Sequence, residues 1–150
     1  MKKFLITLIS FFLFSFAYAG DKYDGRGKLS LHNVDVKYFM EYLSPPAGQS
    51  PSMYFIIAED GKAIWSSYWY CPTGRCKMTN KSEATKKCVR DAEKYYKDKK
   101  YLECFVFAKK RVVTWDNDIN PGTSKDSTFK SKWNKSRVLK KLSELGFNTH

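Results

Sequence analysis

Four cysteines, Cys71, Cys76, Cys88 and Cys104, follow an N-terminal stretch that reads as an export signal, and this pairing of features constrains the fold most. The stretch MKKFLITLISFFLFSFAYA opens with Lys2 and Lys3, runs uncharged from Phe4 to Phe16 and ends in Ala17-Tyr18-Ala19. That is the order of a secretory signal peptide, residues 1–19. The uncharged run is shorter than the ~20 apolar residues a spanning helix needs, so an uncleaved anchor is the lesser reading. No cysteine stands at the cleavage point, which argues against a lipoprotein. The expectation is a single domain, residues 20–150, in the periplasm or outside the cell.

An even number of cysteines in a small exported chain reads as two disulfides. Local geometry favours Cys71–Cys76, because Pro72-Thr73-Gly74-Arg75 can reverse the chain within bridging distance. Cys88 and Cys104 are then left to pair. A structural zinc is the competing reading, but the spacing C-x4-C, x11, C-x15-C lacks the usual C-x2-C knuckles, and His32 and His150 lie far away in sequence. A thioredoxin-like motif would be C-x-x-C. The cysteines are therefore expected to be structural staples, with no metal and no cofactor.

Loss of Lys2 and Lys3 with the leader takes the net charge from +12 to +10. Such a surface attracts nucleic acid, anionic headgroups or acidic envelope polymers. The excess is mostly lysine, scattered from Lys22 to Lys141, with arginine only at Arg26, Arg75, Arg90, Arg111 and Arg137. Scattered lysines read first as a solvated surface, and the arginine forks that phosphate recognition recruits are few.

Along the mature chain the element types alternate. Gly25 to Leu31 forms a short extended lead-in, and Asn33 is placed to cap a helix whose Val36, Phe39, Met40 and Leu43 recur at helical spacing. Ser44-Pro45-Pro46-Ala47-Gly48 ends it. In MYFIIAEDGKAIWSSYWY, two β-rich runs meet at Asp60-Gly61, a strong type I′ hairpin signal. A two-residue loop pairs Glu59 with Lys62 and Ile57 with Ile64. It puts Met53, Phe55, Ile57 and Ile64 on one face, and Tyr54, Ile56, Trp65 and Trp69 on the other. Both faces are apolar, so both need cover.

Asn80-Lys81-Ser82-Glu83 resembles a capping box, opening a helix with Ala84, Cys88, Ala92 and Tyr95 on one stripe. A strand from Cys104 to Ala108 turns at Lys109-Lys110 into Arg111 to Trp115. A polar linker then leads to a helix bearing Val138, Leu139, Leu142 and Leu145, with Gly146 at a left-handed C′ position and Phe147 poised for a Schellman cap. These elements imply an α+β domain: a four-stranded, largely antiparallel sheet of two hairpins with helices on both faces. Its core spans about 29–117, and a polar linker and helix occupy 118–150.

The succession "AEDGKAIWSSYWYC", "SEATKKCVRDAE", "CFVFAKKRVVTWDN" and "LSELGF" resembles a group of small exported alphaproteobacterial disulfide domains of unknown function. The likeness rests on Asp60-Gly61, Tyr70, Cys71, Cys76, Ala84, Cys88, Cys104, Phe107, Ala108, Val113 and Trp115, within Met53 to Asn117. It implies an exported disulfide domain and no particular activity.

Catalytic machinery is hard to assemble from this composition. His32 and His150 are the only histidines of the chain, and His32 reads as a solvated loop residue. Among Glu59, Asp60, Glu83, Asp91, Glu103, Asp116 and Asp118, turn and capping roles account for several, although a glycosidase-like pair is conceivable. No G-x-S-x-G, HExxH, P-loop or dinucleotide fingerprint is present. Tyr54, Trp65 and Trp69 beside lysines could form a stacking platform for bases, sugars or peptides, with core packing as the plainer role. The function expected is a non-enzymatic exported domain that binds an anionic or cell-envelope partner. The alternative is a basic secreted hydrolase acting on nucleic acid or cell-wall glycan.

Overall fold

The computed structural model describes residues 21–45, 47–76, 81–122 and 125–150. The leader, and the Asn80 of the expected capping box, lie outside them. In chain order the elements are β1 (Ser30–Leu31), α1 (Asn33–Leu43), β2 (Ser50–Glu59), β3 (Lys62–Cys71), α2 (Lys81–Glu93), β4 (Phe105–Lys109), β5 (Val112–Val113), a 3-10 turn (Lys125–Ser127), α3 (Lys135–Glu144) and β6 (Asn148–Thr149). The strands form one sheet in the order β5-β4-β2-β3-β1-β6. The expectation of four strands is thus corrected to six. The two additions, β1 and β6, pair parallel with each other, and β1 pairs parallel with β3. Each has only two residues, too few for alternation to show in sequence.

The sheet is covered on both sides. α1 and α3 bury Val36, Phe39, Tyr42, Val138 and Leu142 against Tyr54, Ile56 and Phe107. On the other side Cys88 and Ala92 of α2 join Met53, Phe55, Ile57 and Val106. Phe129 and Phe147 lie in the first cluster, so the core reaches well beyond residue 117. The expected polar linker contributes to it: buried Asn120 donates to the carbonyls of Val113 and Trp115 and accepts from Ser127 Oγ (2.6 Å).

The cap of α1 falls one residue earlier than expected. His32 is the N-cap, and Asp35 at N3 accepts from the His32 backbone N–H (2.9 Å), the acidic half of a capping box. Asp35 also accepts from Ser66 Oγ (2.7 Å), which fastens the helix to β3. At the far end Tyr68 Oη donates to the Glu41 carboxylate (3.0 Å) and Tyr70 Oη to the Glu41 carbonyl. Burial, with Tyr68 and Glu41 adding to it, pushes the Tyr70 phenol up to about 12, so it remains a donor at neutral pH. α3 ends in a Schellman cap: Gly146 (φ 81°) donates to Ser143 O and Phe147 to Leu142 O.

The long hairpin turns at Asp60-Gly61 with positive φ at both residues, and Glu59 faces Lys62. One step further a β-bulge intervenes. Ala58 faces Ala63, but Ile57 faces Trp65 and not Ile64. The extra residue reverses every side chain beyond it. Trp65, Ser67 and Trp69 therefore sit opposite Ile57, Phe55 and Met53 on the α2 side, while Tyr68 is paired with Tyr54 on the α1 side. The expected shared face of Tyr54, Trp65 and Trp69 is corrected accordingly. The second hairpin is displaced by one residue as well: Lys109 faces Val112, and Lys110-Arg111 form the turn, both at positive φ.

Residues 21–27 run along the β4 side and fix the start of α2. Lys81, 8% exposed, donates to Asp21 (2.8 Å) and Asp24 (2.9 Å). Burial disfavours its ammonium, but these two hydrogen bonds outweigh burial and leave its pKa raised. The same contact holds the Asp21 carboxyl below its ordinary value. The signs give a window. The Asp21 contribution is present above its unfolded value of ~4 and is lost as pH falls through the lowered one. The Lys81 contribution is present below ~10.4 and is lost as pH rises through the raised one. Protection of the Asp24 and Gly25 amides, taken relative to intrinsic exchange at the same pH, should therefore be flat at neutral pH and fall on the acid side as Asp21 is protonated and on the alkaline side as Lys81 loses its proton. Protection that stays flat through both titrations would contradict the clasp.

Candidate functional site

The reversed register lines a cleft between β3 and α2. It has a volume of about 310 Å³, at the lower end for small-ligand sites. β3 supplies Ser67 and Trp69, α2 supplies Glu83, Ala84, Lys87, Cys88, Arg90 and Asp91, and Phe55 contributes to the floor. The helix is held off the strand by ties at three levels. Lys81 anchors its start, Cys88 is bonded to Cys104 (Cα–Cα 6.1 Å), and Tyr96 beyond its end donates to the Ile64 carbonyl (2.6 Å). Around the central tie, from Glu83 to Asp91, the helix and strand leave an open slot with Phe55, Ala84 and Cys88 among its lining.

Its polar rim is mixed. Asp91 is bridged by Lys87 and Lys94, and the Lys87 hydrogen bond lowers its pKa. Arg90 has no carboxylate within ion-pair distance among the described residues. Trp69, 36% exposed, presents indole surface to this rim. An aromatic face beside a free guanidinium can stack a ring and neutralise a negative group on it.

Of the expected platform, Trp69 lies in the cleft, and Trp65 is half-buried against the α2-side core. Tyr54 lies on the opposite side of the sheet, 1% exposed, with its hydroxyl donating to the Asp35 carbonyl (2.8 Å). The expected carboxylates are dispersed. Glu83 and Asp91 line the cleft, Glu59 is bridged to Lys99, Asp60 is in the hairpin turn, and Asp116 accepts from the Asp118 N–H.

Sequence did not bring His32 and His150 together, but the fold does. Their rings are 4.9 Å apart, and Ser30 Oγ is 3.1 Å from His150 Nδ1. Asp35 accepts from the His32 backbone and from Ser66, and among the described residues no carboxylate hydrogen-bonds to either imidazole, so no serine, histidine and carboxylate relay is formed there. Nucleophilic catalysis would need that third group or a substitute.

A second pocket, about 370 Å³, surrounds the other disulfide, Cys71–Cys76 (Cα–Cα 5.6 Å). Arg75 comes from the long hairpin's end, and Lys110 and Arg111 from the turn of the second hairpin. Only β2 lying between the two brings these cations together, a juxtaposition hidden until strand order is known. Among the described residues no group of three or more His, Cys, Asp or Glu side chains could hold a metal ion, and no helix is long and apolar enough to cross a membrane. No family model, curated protein or solved structure matches this chain.

Proposed function

We propose that the chain is an exported, non-catalytic binding domain that takes an anionic, ring-bearing polymer of the cell envelope in the cleft between β3 and α2. The observation that carries this is the half-exposed Trp69 indole in a cleft whose rim includes the unbridged Arg90. Two disulfides suit an oxidising compartment, the leader-like N-terminus and the likeness to small exported domains point the same way, and the cationic surface favours encounter with polyanions.

Fluorescence titration with hyaluronan oligomers, a carboxylated glycan, tests this reading. Stacking on one aromatic ring is worth ~1–3 kcal/mol, so Trp69→Ala should weaken binding at least about fivefold with little change in melting temperature. Arg90→Gln should weaken it and flatten its salt dependence. Trp65→Ala should act oppositely, lowering the melting temperature by opening the core. Wild-type affinity in Trp69→Ala would overturn the cleft assignment. Time-dependent shortening of the oligomers would favour the secreted hydrolase instead.

A further inference from the structure

The two disulfides occupy very different surroundings. Cys88 and Cys104 are each 3% exposed and sealed between α2 and the sheet. Cys71 is 4% exposed, but Cys76 is partly exposed, and both line the cationic pocket. The Cys71 sulfur accepts from the Cys76 backbone N–H (2.8 Å), and Thr73 Oγ1 lies 3.8 Å from each sulfur. Arg75, Lys110 and Arg111 line the same pocket, with no carboxylate among its lining residues.

We propose that Cys71–Cys76 is a thiol–disulfide exchange site for a dithiol partner, with Cys76 as the attacked sulfur and Cys71 as the leaving group. Exchange is fastest when the attacked sulfur is accessible and the departing thiolate is stabilised. Hydrogen-bond donors and nearby cations supply that stabilisation: the Cys76 N–H donates to Cys71 Sγ and not to its own sulfur, and the cations line the pocket that holds the bond. A partner thiolate attacks Cys76 Sγ. A partner–Cys76 disulfide forms, the Cys71–Cys76 bond breaks, and its electron pair leaves on Cys71. The partner's second thiol, losing its proton, then attacks its own sulfur in the mixed disulfide and expels the Cys76 thiolate. The partner ends as a disulfide and the two cysteines as thiols, two electrons having passed to this chain with the two protons of the partner's thiols. The C-x4-C spacing hides this from a C-x-x-C search, because the donors come from the loop itself and the cations partly from a different hairpin.

The test is native reduction of the intact protein by limiting dithiothreitol, quenched with N-ethylmaleimide and mapped by mass spectrometry. Alkylation should appear at Cys71 and Cys76 at least 100-fold faster than at Cys88 and Cys104. With glutathione, the acid-trapped mixed disulfide should map to Cys76. An exposed staple without electrostatic tuning would also open first, so the deciding variant is Arg75→Gln combined with Lys110→Gln. Both are surface residues, and melting temperature reports any loss of folding. Exchange at Cys76 should slow at least fivefold in that variant, and in the wild type it should slow as salt rises. An unchanged rate in the folded variant, an adduct on Cys71, or equal reduction of both disulfides would each overturn the proposal.

Discussion

Gly25→Ala is expected to lower the melting temperature by roughly 10 °C, corresponding to about 3 kcal/mol for a domain of this size. A Cβ at this position would stand 2.0 Å from Trp115 Cε3. The ring is held in place: Trp115 is 2% exposed, and its indole N–H donates to the Gly27 carbonyl (2.9 Å), a bond that displacement would break. Nor can the backbone retreat, since Gly25 N donates to Val106 O and Gly25 O accepts from Asp116 N. Gly27→Ala is the built-in control. Gly27 is at φ 85° with nothing within 4 Å of an added Cβ, so it carries only the left-handed penalty of ~1–2 kcal/mol. Thermal denaturation followed by circular dichroism ranks the two. Trp115→Leu in the Gly25→Ala background should recover part of the loss, as expected of residues in contact. Equal melting of Gly25→Ala and wild type would mean that residues 24–27 do not lie beneath Trp115.

Legibility in the sequence followed the length of each signal. The Asp60-Gly61 turn, the helical stripe of Val36 and Phe39 and the terminal Gly146-Phe147 cap each rest on local chemistry, and the structure contains all three. The side of the sheet on which Trp65 and Trp69 lie was not legible. A bulge is one inserted residue, and in a strand with apolar residues on both faces the alternation reads equally well in either register. The error matters because it separates Tyr54 from the two tryptophans and turns a supposed platform into a cleft wall. β1 and β6 were hidden for another reason. Their pairing depends on α3 carrying Asn148 and Thr149 back beside Ser30 and Leu31, a contact no local window contains. The cationic pocket needed the strand order β4-β2-β3, which brings the turn at Lys110 near Arg75.

Replacing Cys88 and Cys104 together by alanine should cost at least as much as the Gly25 clash, and should cost it in the cleft. Closing a loop of sequence separation 16 is worth about 3 kcal/mol in chain entropy, and the loss of two buried sulfurs adds a packing deficit. The shorter Cys71–Cys76 loop, separation 5, is worth about 2 kcal/mol by the same relation. The functional consequences should differ more than the stabilities. α2 buries few large side chains, only Lys81, Cys88 and Ala92 being fully covered, so its position depends on the bond at its centre. Without it, Lys81 and Tyr96 hold the ends while the middle can move away from Ser67 and Trp69. Oligomer binding should fall at least tenfold at temperatures where the sheet is still folded, and exchange protection should drop along α2 while remaining high in β2 and β3. The Cys71→Ala, Cys76→Ala double variant should retain oligomer binding, because neither cysteine lines the cleft. Intact binding in the Cys88→Ala, Cys104→Ala protein would mean that the ligand surface does not require α2, and the cationic pocket would then be the place to look for the polyanion.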